Sequence, residues 1–134
     1  MIDHHSALVY TMVLVSAADG DMTDAELAEI GESVRHLPIF RDFDRQRITE
    51  TAAACADMLT TEDGLDKAIA LLRDALPARL RETAYALACD VAAADGKVTQ
   101  EESRLLEILR HRLDVDRLIA AAIERGAQAR HATA

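Results

Sequence analysis

The chain has 134 residues, half of them hydrophobic but only 3% aromatic and none of them Trp, and 24 Asp and Glu against 15 Lys and Arg give a net charge of -9. That length suits one domain with one buried core, which must be built from aliphatic side chains and Ala. The acidic balance argues against nucleic acid and anionic lipid, both of which demand stripes of Lys and Arg, and leaves cations or basic protein segments as partners.

Helix signals run through the whole chain and no strand pattern appears. Residues 3–18 form an apolar helix that stops at Asp19-Gly20, where glycine suits the left-handed position just past a helix end. Thr23 and Glu26 make a capping box for a second helix with Leu27, Ile30, Val34 and Leu37 as its apolar stripe, closed by Pro38. A third helix is expected over 42–59, with Ile48, Ala52, Cys55 and Leu59 on one face. "TTEDG" separates it from a fourth, over 62–75, that uses Leu65, Ala68, Ile69 and Leu72. Pro77, at a first-turn position, opens a long fifth helix ending at Asp95-Gly96. Thr99 and Glu102 repeat the capping box ahead of a sixth helix carrying Leu105, Leu106, Leu109 and Leu113. A seventh starts near Asp114 and stops before Gly126, leaving a frayed tail.

The resulting expectation is a compact all-α bundle of about seven helices, one domain over 1–134. "AADGDMTDAE" at 17–26 returns as "AADGKVTQEE" at 93–102, which makes the bundle an internal pseudo-two-fold repeat of helical hairpins, with units at about 7–37 and 83–113. Two units are too few for a solenoid.

"ALVYTMVLVSAADG" has the look of a secretory core, but "MIDHH" before it lacks the positive charge of a signal. Its counterpart "TAYALACDVAAADG" lies in the interior, so both stretches belong to the fold, and neither has the roughly 20 apolar residues of a membrane span. Cys55 and Cys89 sit in Ala-rich apolar stretches without metal-ligand spacing and read as small core residues in a reducing compartment. A cytoplasmic protein is expected.

The repeated acids carry the functional question. Glu26 and Glu102 have a structural explanation in the capping box. Asp19 and Asp95 end apolar helices, where the macrodipole disfavours an acid; each can cap its turn by accepting backbone N–H groups, as Asn could too. With Asp21, Asp24, Asp90 and Glu101 nearby in sequence, corners that meet would gather four to six carboxylates needing a cation or a basic partner. All-oxygen ligation favours Ca²⁺ or Mg²⁺ before Zn²⁺. The spacing is not that of an EF-hand, because a loop beginning at Asp19 or Asp95 has neither Gly at its sixth position nor Glu at its twelfth.

Two Ala-Asp-Gly corners, each followed by Thr-x-x-Glu, in an acidic seven-helix chain of this length resemble the tellurite-resistance TerB family over about residues 5–125. The resemblance implies a compact helical domain of bacteria, found with stress-response genes, without an enzymatic activity to transfer. It also implies a metal site built from the corner acids, here Asp19, Glu26, Asp95 and Glu102.

Other candidates read as structural. His4 and His5 are adjacent and face different directions at a surface start, His36 and His111 lie near helix ends, and "RDFDRQR" is a solvated stretch around Phe40 and Phe43. No nucleophilic triad or phosphate loop can be drawn. The expected function is a non-enzymatic, metal-binding, TerB-like tellurite-resistance or stress-response protein; the alternative is a metal-free acidic helical module that recognises a basic segment of a protein partner. Its apolar helices leave room for a homodimer.

Overall fold

The computed structural model describes residues 1–18, 20 and 22–134. Among them stand seven α-helices and no strand: α1 (His4–Ser16), α2 (Asp24–His36), α3 (Ile48–Leu59), α4 (Gly64–Ala75), α5 (Ala78–Ala93), α6 (Gln100–Arg112) and α7 (Arg117–Arg130). Short 3₁₀ turns at Pro38–Phe40 and Arg45–Arg47 join α2 to α3.

Every residue from Ser6 to Ser16 of α1 is buried. A helix apolar on all sides has to lie at the centre. α1 packs against α5 and is surrounded by α2, α3, α4 and α6, while α7 lies along α5. The core is aliphatic, with Leu8, Met12, Leu14, Ile69, Leu72, Leu109 and Leu113 fully buried.

The two corner units have the same local geometry. Gly20 and Gly96 adopt φ of 78° and 82°, the left-handed conformation that a side chain disfavours. Thr23 and Thr99 are extended N-caps, and the 13-residue helices after them start at the same offset within the repeat.

Four local expectations are corrected. The third helix begins at Ile48 rather than Asp42, because 38–47 winds through two 3₁₀ turns that bury Phe40 and Phe43. The chain start is not a frayed surface: Asp3 accepts the N–H of Ser6 at 2.8 Å, and the His5 ring packs 5.9 and 5.3 Å from the centroids of Phe40 and Phe43. Leu27 is exposed rather than part of the buried stripe of α2, since Glu26 takes the inward position on that turn. Finally, α7 continues past Gly126 to Arg130. A helical glycine costs roughly 1 kcal/mol against alanine, and the burial of Ala127 together with an Arg130–Asp90 ion pair outweighs it.

Candidate acidic site between the two corners

Each corner places one glutamate at the third position of a helix. In the first, the Thr23 N–H donates to Glu26 Oε1 at 3.0 Å and the Glu26 N–H donates to Thr23 Oγ1 at 3.1 Å. In the second, Thr99 and Glu102 reproduce both bonds at 3.0 and 3.1 Å. Such a box satisfies two orphan donors at a helix start and places negative charge where the macrodipole favours it.

A capping glutamate ordinarily sits at the surface. Here Glu26 is 2% exposed and Glu102 1% exposed. The two carboxyl groups are neighbours, and Glu102 is pushed up to about 7, first by burial and then by Glu26. Glu102 Oε1 is committed to its N-cap, while Oε2 is buried without any hydrogen-bond partner. Two ionised carboxylates offer only acceptors to one another. The contact is satisfied by a proton placed between them or by a cation, and otherwise leaves buried like charges facing each other.

The family model described as "Tellurite resistance protein TerB" matches residues 5–125. The chain belongs to the TerB family. No curated protein and no protein of solved structure matches it.

The other acids of this TerB chain are placed differently. Asp95 is exposed, and its Oδ1 accepts the Lys97 N–H at 3.0 Å, a side-chain cap of the turn. Asp19 and Asp21 lie outside the described residues. Asp24 and Glu101 are exposed in the first turns of α2 and α6. Asp90 is turned to α7, where Arg130 holds it at 2.6 Å. Among the described residues, no three His, Cys, Asp or Glu side chains form a group able to hold a metal ion. The buried pair supplies two carboxyl groups, fewer than such a group requires.

A second polar cluster has almost no signature in the sequence. Glu29 on α2, Asp90 on α5 and the Arg130–His131 pair at the end of α7 line one groove of about 260 Å³. Glu29 is raised by burial and by Asp90. Its only sequence signal is its position one turn beyond Glu26, and the groups that make it significant, Asp90 and His131, are distant in sequence. The cysteines behave as expected of core thiols: both are free and buried, and burial pushes each up to about 12.

No helix of the described residues is long and apolar enough to cross a membrane. An apolar cavity of about 370 Å³ opens beside the first corner, between Leu14, Leu59, Leu65 and Leu105, with Glu101 and Arg104 among its lining.

Proposed function

We propose that this TerB chain is a non-enzymatic tellurite-resistance or stress-response protein of the cytoplasm whose two corners together bind one divalent cation. Glu26 and Glu102 supply the buried oxygens, and the repeated corner acids Asp19 and Asp95 are the further ligands of this reading. One observation carries the reading: Glu102 has a buried, unpartnered Oε2 and a second buried glutamate, Glu26, as its neighbour. A side chain that served only as a helix cap would gain nothing from being buried against a like charge, whereas a cation neutralises both. Oxygen-only ligation favours Ca²⁺ or Mg²⁺ over Zn²⁺. In this reading the two hairpins are halves of a pseudo-two-fold repeat with the glutamate pair at its centre.

Cation binding has to displace the proton that Glu102 retains near neutrality. Adding Ca²⁺ or Mg²⁺ to metal-stripped protein in weak buffer at about pH 6.5, just below the raised Glu102 value, should therefore release protons, and Glu102→Gln should abolish the release. Binding without proton release would move the site away from the glutamate pair.

A second reading, an acidic module that recognises a basic segment of a protein partner, draws on Met22 and Val98. They occupy the same position in the two corners and are 39% and 48% exposed. An apolar side chain presented among acids suits a basic amphipathic segment. Salt-sensitive binding of a Lys-rich amphipathic peptide, lost in Met22→Ser/Val98→Ser and indifferent to divalent ions, is the result that favours it.

A further inference from the structure

α7 is attached to the protein in an unusual way. It rests chiefly on α5, and the side chains it buries are two alanines, Ala120 and Ala127, with Ile123 partly buried. By comparison, α1 buries eleven consecutive residues, Ser6 to Ser16. The α5–α7 contact is extensive, but since apolar stabilisation follows the area removed from water, its small buried alanines contribute little apiece. Elements held by few apolar contacts open locally at a free energy below that of global unfolding.

The two ends of α7 differ in kind. At its start, Asp114 is the one non-glycine residue with positive φ, 55°, among the described residues, and its carboxylate is fixed to Arg73 on α4 at 2.7 Å. Two residues on, Asp116 accepts the N–H groups of Leu118 and Ile119 at 3.0 and 3.3 Å. The first turn of α7 is thus capped from within and needs nothing from the rest of the fold.

At the other end the contacts are ionic. Arg130 Nη2 lies 2.6 Å from Asp90 Oδ1, and His131 Nε2 lies between that same oxygen, at 3.5 Å, and Glu29 Oε1, at 3.8 Å. This clasp is the tie between the end of α7 and α2. Beneath the helix, Tyr85 donates to Glu124 at 2.6 Å, and Cys89 is buried.

We infer that α7 is a hinged cover that lifts from α5 as a unit about Asp114, with the ionic clasp of Arg130 and His131 on Asp90 and Glu29 setting how often it opens. Opening bares the α5 face carrying Tyr85 and Cys89 while α1 to α4 stay folded. The device is independent of the cation site, because neither glutamate of the buried pair belongs to the clasp.

The two cysteines provide the test. Both thiols are free and buried, so alkylation by iodoacetamide requires an opening that exposes them, and the change at each cysteine between parent and variant reports that opening. Cys89 lies on α5 against α7, and Cys55 lies against α1, with its thiol 3.9 Å from the Tyr10 carbonyl. Site-resolved mass spectrometry should show Cys89 reacting faster than Cys55 in the native protein. Arg130→Gln/His131→Gln should accelerate Cys89 by roughly two- to fivefold, the scale set by losing partly exposed ion pairs, with Cys55 unchanged. Equal rates at the two cysteines in the parent protein, or no acceleration in the variant, would overturn the inference. Native-state hydrogen exchange of the parent guards against a variant that misfolds: a 14-residue helix lifted off α5 is too short to stay folded, so α7 amides should exchange at a free energy below that of global unfolding, and exchange of α7 only by global unfolding would rule the hinge out.

Discussion

The side chains of Glu26 and Glu102 meet in the interior from the first turns of two different helices, each with one oxygen already holding the backbone N–H of its own N-cap threonine. The geometry that caps the two helices therefore also brings two acids together, and the consequences for stability can be measured.

The first is a pH dependence. Glu102 is raised from 4.5 to about 7 in the folded protein, so the folded state holds a proton that the unfolded state releases. The stability this contributes is complete below about pH 4.5 and is lost as pH rises through about 7. It amounts to about 3 kcal/mol, because a tenfold change in proton affinity between the two states corresponds to about 1.36 kcal/mol. Urea unfolding of metal-free protein from about pH 4 to about pH 8 should show this decline, and Glu102→Gln should flatten it and be the more stable protein at the alkaline end. An unchanged pH profile in that variant would mean that Glu102 is not the proton carrier.

The capping boxes should be energetically equivalent despite their different flanking residues, because their bond lengths agree. Thr23→Ala and Thr99→Ala should each cost about 1 kcal/mol. Denaturant midpoints for the two variants, measured side by side, check this.

At the corner glycines an added Cβ would meet nothing within 4 Å, so only backbone conformation is at stake. Gly20→Ala and Gly96→Ala should each lower stability by about 1 kcal/mol, and the Asn variants by less, since Asn tolerates the left-handed region. Thermal melts of the four proteins should give that order.

Tyr85 is almost fully buried, and its hydroxyl donates to Glu124 on α7. Tyr85→Phe should destabilise by about 1 to 2 kcal/mol, through the lost charge-assisted bond and the half-buried carboxylate it leaves behind. Chemical unfolding reads the loss, and Tyr85→Phe should cost clearly less in a Glu124→Gln background if the bond to the carboxylate carries the effect.

The helices are legible in the sequence where local chemistry decides them. Thr-x-x-Glu marks both N-termini because the box is a contact within four residues, and the left-handed glycines mark both corners. What the sequence hides depends on contacts distant along the chain. Nothing local says that Glu26, rather than Leu27, takes the inward position on α2, since that is settled by where Glu102 arrives. The extent of α7 runs against its local signal for the same reason: Gly126 marks a helix end, and the burial of Ala127 and the pairing of Arg130 with Asp90 override it. The TerB resemblance read from the two corners agrees with the family match over 5–125.

A cation shared by the two corners must reveal itself in thermal unfolding of metal-stripped protein, with Ca²⁺, Mg²⁺ and Zn²⁺ added in turn to the parent, to Glu102→Gln and to Asp19→Asn. An ion bound only by the folded state adds about 2.7 kcal/mol at a hundredfold excess over its dissociation constant. Ca²⁺ or Mg²⁺ should raise the midpoint of the parent and leave Glu102→Gln unmoved. A parent indifferent to all three ions would contradict the shared site and leave the glutamate pair holding a proton.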